Sequence, residues 1–200
     1  RSPRATPETL GKVAYMANGA AALNPALLAE IRARMPHCLL SNTYGQTETT
    51  AWTCSISGTP YLENPGSCGW PAPSIRVQVR RDDGSEAEVG EAGELWVSSA
   101  GLMTCYVGDP AGTAETLQHG WLASGDVGFV DAQGIVTIVD RKKNMVISGG
   151  ENIYCAEVER VIADLPDVRD CIAYGLPDER LGERLAATVV VSSGSALTAD

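Results

Sequence analysis

Basic charge is scarce in this chain, and that scarcity narrows its partners before any motif is read. Fifteen Lys and Arg stand against twenty-five Asp and Glu, for a net charge of −10. A chain this acidic is a poor partner for nucleic acid or an anionic membrane. It can still take a nucleotide, which asks only for local positive groups and backbone N–H donors. The lysines are Lys12, Lys142 and Lys143, and the histidines are His37 and His119. No two of the cysteines at 38, 54, 68, 105, 155 and 171 stand in C-x-x-C spacing. A zinc site is therefore not expected. Cysteines spread in this way suit a reducing cytoplasm better than a disulfide framework. No apolar run approaches the ~20 residues a membrane helix needs. Arg1-Ser2-Pro3-Arg4 leads into no hydrophobic core, so no signal peptide is expected. Internal repeats and low-complexity tracts are missing as well.

What is present is an ordinary globular composition, 44% apolar over 200 residues. That length suits one large domain or one and a half smaller ones. Both ends read as cut, so a fragment of a longer protein is expected. Lys12 to Met16 reads as a short buried strand. Asn24-Pro25 supplies an N-cap and a proline at the first helical position. Leu27, Leu28, Ile31 and Met35 then fall on one helical face. Cys38 to Ser41 is a second apolar strand. Strand, helix, strand at this length predicts a right-handed parallel βαβ unit. Ligands in such sheets sit outside the carboxyl ends of the strands. The loops leaving those ends are Asn18 to Ala21 and Asn42 to Thr49.

From Ala51 to Val139 the pattern turns β-rich. Ile75, Val77 and Val79 alternate with Arg76, Gln78 and Arg80. Gly93 to Val97 reads as a further strand, Asp109-Pro110 caps a short helix to about Leu117, and Asp131 to Gly134 is a hairpin turn. Trp121 to Asp126 predicts a short strand ending at Gly125. Ile135 to Val139 is a β-branched run halted by the charged step Asp140-Arg141-Lys142-Lys143. Met145 to Ile147 is another short strand, and Ser148-Gly149-Gly150 is a loop free to take positive φ. A helix starting near Ala156 carries Val158, Val161, Ile162 and Leu165 on one face. Val168 to Ala173 and Ala186 to Val191 are strands, with Gly175 to Glu183 a polar loop between them. Cys155 reads as a small buried residue, not a nucleophile.

Chemistry concentrates at three places. In Thr43-Tyr44-Gly45-Gln46-Thr47-Glu48 a tyrosine offers a flat ring to a purine, Thr47 offers a hydroxyl, and Glu48 offers the hard oxygen that Mg²⁺ prefers. A polar turn with one aromatic plug is the plainer alternative. Asp126 could accept both hydroxyls of a ribose diol, although an Asp capping a turn is the commoner role. The stretch from Asp140 to Glu151 reads on local pattern as a surface hairpin before a helix. Lys142 and Lys143 read equally well as solvated charges.

Three blocks change that weighting by their wording. Asp140 to Tyr154, reading Asp-Arg-Lys-Lys-Asn-Met-Val-Ile-Ser-Gly-Gly-Glu-Asn-Ile-Tyr, closely resembles the hinge and glycine loop of the adenylate-forming enzymes. Tyr44-Gly45-x-Thr47-Glu48-Thr49 resembles that superfamily's adenine and magnesium signature, and Trp121-x-x-Ser124-Gly125-Asp126 its ribose-binding aspartate. Pro65 to Gly69, Gly93-Glu94-Leu95 and Tyr106-x-x-Asp109-Pro110 occur in the same order. Within the superfamily the wording is most similar to the acyl-CoA synthetases. The departures are Asn18 and Ala20 in the first loop, Asn144 and Cys155.

The resemblance implies an α/β (α+β) architecture. Residues 1–140 would close the large AMP-binding domain, with a βαβ piece over 1–50 and a small antiparallel β-barrel over 51–140. Residues 141–200 would begin a small mobile C-terminal domain. It implies a ligase that couples a fatty or aryl acid to coenzyme A through an acyl-adenylate, using ATP and Mg²⁺ and leaving AMP. Gly19, Ala20, Ala21, Thr43, Tyr44, Gly45, Gln46, Thr47, Asp126, Ile138 and Arg141 would contact the nucleotide. Thr47, Glu48 and Arg141 would serve catalysis, Glu48 holding the metal. Lys143 would be the hinge, with Asp140 to Lys143 exposed, and Ser148, Gly149, Gly150 and Glu151 the coenzyme A loop. An adenylation domain loading a carrier protein and a non-catalytic nucleotide-binding remnant stay open, as does a homo-oligomer. The resemblance also places a phosphate loop and a catalytic lysine outside this chain, so the chain alone is expected to be inactive.

Overall fold

The computed structural model describes residues 5–19, 23 and 25–195. The chain divides into two units. One runs to Ser124 and takes in Gly128–Ile138; the other holds Gly125–Val127 and everything from Val139 onward.

The first unit begins with α1 (Pro7–Leu10), capped by the Thr6 hydroxyl, which accepts from the Thr9 N–H at 3.3 Å. Then come β1 (Tyr15–Asn18), α2 (Pro25–Arg34) and β2 (Leu39–Tyr44). β1 and β2 are parallel, in register from Tyr15↔Leu39 to Asn18↔Asn42, as the βαβ pattern predicts. β3 (Cys54–Ser57), α3 (Thr59–Glu63) and β4 (Trp70–Pro71) follow, and the sheet order is β1-β2-β3-β4.

Both parallel strands run later than their apolar residues suggest. Lys12 and Val13 are spent on turns behind α1, their N–H groups donating to Thr9 and Leu10 carbonyls. Asn42, Thr43 and Tyr44 remain strand because β3 pairs antiparallel with Ser41 to Tyr44. Along α2, Leu28 and Met35 are buried with Ile31 against them, but Leu27 is 47% exposed, so the apolar stripe is narrower than expected.

A second sheet gathers β5 (Arg76–Arg80), β6 (Gly93–Ser98), α4 (Pro110–Thr116) with β7 (Leu117–Gln118), β8 (Trp121–Val130) and β9 (Val136–Arg141). Its order is β5-β6-β8-β7, with β9 on β8. Leu95, Val79, Val136, Cys54 and Cys68 form its core. Two expected strand ends are corrected here. β8 passes through Gly125-Asp126, the glycine bending at φ 71°, and β9 passes through Asp140-Arg141. The charges are tolerated because they have partners: Arg141 Nε lies 2.7 Å from Asp126 Oδ1.

The second unit holds β10 (Val146–Ser148), β11 (Glu151–Ile153), α5 (Cys155–Ala163), β12 (Val168–Asp178) and β13 (Gly182–Val191), in the order β11-β10-β13-β12. The stretch expected as a polar loop over Gly175 to Glu183 is mostly ladder, with Gly175↔Leu185, Leu176↔Arg184 and Pro177↔Glu183 paired. Only Glu179 to Leu181 turns. The Asp178 carboxylate accepts from the Leu181 and Arg180 N–H groups at 2.9 Å, and those bonds hold it below the usual carboxylate range. Val146, Cys155 and Ala173 make the small core, with Val158 against it. Val161 and Leu165 are 62% and 49% exposed, so only part of the helical stripe packs.

These two environments separate under mutation. Leu95→Ala, at 0% exposure, should cost about 2–5 kcal/mol. Leu165→Ala should cost less than about 0.5 kcal/mol. Denaturant midpoints at unchanged slope give both values.

Candidate active site

The first candidate cluster grows from the carboxyl ends of β1 and β2. Asn18 and Asn42 face each other across the parallel pair, the Asn18 Nδ2 donating to Asn42 Oδ1 at 2.7 Å. Asn42 Nδ2 donates to the Ser67 carbonyl at 2.6 Å, and the Tyr61 hydroxyl donates to Asn18 Oδ1 at 3.1 Å. Burial pushes the Tyr61 phenol up, offset in part by its bond to Asn18. This network lets two amides occupy a sheet interior. The sequence reading missed it, treating Asn18 only as a substitution in a loop.

Just beyond it, the Thr43 hydroxyl donates to the Asn18 carbonyl at 3.2 Å. A Cβ on Gly19 would stand 3.0 Å from that hydroxyl, so Gly19 and Thr43 are neighbours. Ala20, Ala21 and Asn24 lie outside the described residues.

β2 then turns sharply. A Cβ on Gly45 would fall 2.2 Å from the Ala51 carbonyl oxygen, so no side chain fits there. The return is built on Gln46, whose carbonyl accepts from the N–H groups of Thr49 at 3.0 Å and Ala51 at 2.9 Å. Tyr44 packs its ring against the Cys54–Cys68 core cluster. Gln46 Nε2 is buried and has no hydrogen-bond partner among the described residues. Thr47 is exposed and Glu48 half-buried on a 3₁₀ turn over Thr47–Thr49.

Glu48 is held by a segment more than fifty residues further along the chain. The Tyr106 hydroxyl donates to Glu48 Oε1 at 2.8 Å, and the Met103 N–H donates to the Glu48 carbonyl at 2.8 Å. The Thr50 hydroxyl donates to the Gly101 carbonyl at 2.5 Å. Burial first, then the bond to Glu48, push the Tyr106 phenol above the ordinary tyrosine range. In the sequence Tyr106 stands out only as part of a motif. An aromatic with a polar tip just before a helix cap was its one signal.

The second cluster lies in the C-terminal unit. Asp126 is 3% exposed and bonded to the half-exposed guanidinium of Arg141. Ile138, in the other unit, packs against the core of the second sheet. Asp140, expected to be exposed, is 7% exposed. Its Oδ1 accepts from the Arg141 N–H at 2.6 Å and its Oδ2 from the Ala156 N–H at 2.9 Å. It thereby serves α5, whose own preceding residue Tyr154 caps nothing with its side chain. Lys142 and Lys143 are exposed on a 3₁₀ turn over Lys142–Asn144. Ser148 to Glu151 form the tight turn of a β10–β11 hairpin, with Ser148↔Glu151 paired and Gly149 and Gly150 at φ 61° and 90°. The Gly149 N–H donates to the Leu181 carbonyl at 2.9 Å.

Among the described residues no three His, Cys, Asp or Glu gather as a metal cage. One oriented carboxylate is what a Mg²⁺ ion needs when phosphate oxygens and water complete its shell. Glu48 fits that role, because Tyr106 occupies only one of its two oxygens.

By fold the chain stands among adenylate-forming proteins. It superposes on o-succinylbenzoate CoA synthetase from Bacillus subtilis in complex with its acyl-adenylate intermediate with a TM-score of 0.83, at 32% identity, over 91% of this chain and 37% of that one. The same enzyme with ATP and magnesium bound gives 0.80, at 30% identity over 92% and 39%. The chain belongs to the AMP-binding enzyme family: residues 2–107 match the enzyme model and residues 157–200 its C-terminal domain. Feruloyl-CoA synthase from an Amycolatopsis species is 42% identical over 78% of this chain and 32% of its own length. A fatty acid–[acyl-carrier-protein] ligase, ScoC, from Streptomyces coeruleorubidus is 38% identical over 93% and 36%. The chain thus spans about a third of the length of these relatives. No helix among the described residues is long and apolar enough to cross a membrane.

Removing the Asp140 carboxylate should loosen the first turn of α5. Asp140→Ala should cost about 1 kcal/mol, and Asp140→Asn, which keeps an acceptor, less. Hydrogen exchange at the Ala156 and Glu157 amides should quicken in that order, with the β12 amides unchanged.

Proposed function

We propose that this chain is part of an AMP-forming ligase that activates a carboxylic acid with ATP and passes the acyl group to coenzyme A. The observation that carries this reading is the glycine-tight turn bearing Tyr44, Thr47 and a braced Glu48, in a chain of the AMP-binding enzyme family. Residues 1–140 would belong to the large domain and 141–200 to the small C-terminal one. The setting is cytoplasmic.

The acid's carboxylate attacks the α-phosphorus of ATP, pyrophosphate leaves, and the thiol then displaces AMP from the acyl carbon. Such chemistry runs on positioning and charge stabilisation more than on covalent help from the protein. Tyr44 presents its ring to the adenine. Gly19 and Thr43 leave a narrow path beside it, with Gly45 and Gln46 shaping the turn, and the exposed Thr47 hydroxyl donates to phosphate oxygens. Glu48 would hold Mg²⁺, which supplies charge neutralisation on the phosphates when bound. Asp126 accepts from the ribose hydroxyls, with the Arg141 Nε 2.7 Å from its Oδ1, and Ile138 is a further nucleotide contact. Lys143 is the pivot, and Ser148 to Glu151 border the pantetheine arm. Feruloyl-CoA synthase and o-succinylbenzoate CoA synthetase both point to an aryl acid as the first substrate to try. The relative that loads an acyl carrier protein supports a second acceptor, a carrier's phosphopantetheine thiol.

Pyrophosphate release by the full-length protein over a panel of aryl and fatty acids tests the reading. Turnover with AMP formation is expected, and Glu48→Gln should lower it by about 10²–10³-fold. The 200-residue chain alone should release none. Supplying coenzyme A or a phosphopantetheinyl carrier protein in parallel identifies the acceptor. Full-length protein that forms no AMP with any acid would refute the proposal.

A further inference from the structure

We propose that Tyr106 is the residue that aims Glu48 at its metal ion. This rests on Glu48 being the Mg²⁺ carboxylate. A free glutamate has three side-chain torsions, and fixing them costs rotamer entropy. An ion that takes only one or two protein carboxylates is sensitive to whether that cost is already met. Here the fold meets it. The Tyr106 hydroxyl, 2.8 Å from Glu48 Oε1, anchors that oxygen and so narrows the positions Oε2 can take.

Tyr106 can do this because it is itself clamped. Its N–H donates to Thr113 Oγ1 at 2.9 Å, and the Thr113 hydroxyl donates in turn to the Asp109 carbonyl at 2.7 Å. Asp109 caps α4, its Oδ1 accepting from the Gly112 N–H at 2.8 Å. A Cβ on Gly112 would fall 2.3 Å from the Asp109 carboxylate, so the cap closes tightly. From the other side, Met103 holds the Glu48 carbonyl and Gly101 accepts from Thr50. Glu48 thus sits on a turn pinned at its backbone and at its side chain by one segment, Gly101 to Tyr106. An outer contact of this kind commonly changes metal affinity by 10–100-fold.

The test uses the full-length protein with Mn²⁺ and ATP. Free Mn²⁺ measured by electron paramagnetic resonance gives the affinity without turnover, and a Mg²⁺ titration of pyrophosphate release gives the activation constant. Tyr106→Phe keeps the ring and removes only the hydroxyl. Its Mn²⁺ affinity and Mg²⁺ activation constant should weaken about tenfold, while kcat at saturating Mg²⁺ and the KM for the acid stay near wild type. In a Glu48→Gln background the same change should add nothing. A Tyr106→Phe protein with wild-type metal affinity would overturn the proposal, whatever its thermal midpoint. An effect that persists undiminished in the Glu48→Gln background would overturn it too. Wild-type Mn²⁺ affinity in Glu48→Gln alone would instead remove Glu48 as the ligand, which is a failure of the preceding reading and visible before Tyr106 is touched.

Discussion

A polar side chain taken out of water must find a partner, and the informative parts of this chain are arranged around that requirement. Asn42, Asp126 and Asp140 are each under one-tenth exposed. A buried amide left unbonded costs about 1–3 kcal/mol and a buried carboxylate more. Each therefore drags a second element into place. Asn42 ties β1, β2 and the Ser67 turn together through Asn18 and Tyr61. Asp126 draws in Arg141, so β8 and β9 both carry charge well past the point where an apolar pattern would end them. Asp140 reaches sixteen residues along the chain to the first turn of α5. The cost of burial at each position fixes geometry that hydrophobic contact, which has no direction, could not.

That explains which parts of the molecule were legible in the sequence. The βαβ unit, the β-rich middle and the amphipathic α5 follow from periodicity, and the structure has them. The errors fall where polar groups continue a strand. A reader of hydropathy stops β2 at Ser41, β8 at Gly125 and β9 at Val139, because the next residues are Asn42, Asp126 and Asp140. All three strands go on, each polar side chain finding a partner further along or back in the chain: Asn18 and the Ser67 carbonyl for Asn42, Arg141 for Asp126, and the Ala156 N–H for Asp140. The Gly175 to Glu183 stretch fails in the same way, since β13 lies opposite and supplies its ladder. Nothing local announces such partners.

The candidate site was legible by wording more than by physics. Thr43 to Glu48, Asp126 and Arg141 could be named from short motifs, and the structure puts Gly19 beside Thr43 and Arg141 on Asp126. The supports were not legible. Tyr106 is fifty-eight residues from Glu48, and Asn18, Asn42 and Tyr61 meet from three separate elements. Motifs name candidate contacts. The residues that hold those contacts still are scattered, and only the fold assembles them.

Asp140 sets a condition on any motion at Lys143. Its carboxylate belongs to β9, before the proposed pivot, while the Ala156 N–H it accepts from lies after it. A rotation about Lys143 cannot leave both ends of a 2.9 Å bond in place. Either the bond breaks and α5 loses a partner for its first turn, or a different acceptor takes over in the rotated state. Tyr154 offers no side-chain cap as replacement. In the proposed hinge the resting position is therefore held at Asp140, three residues before Lys143.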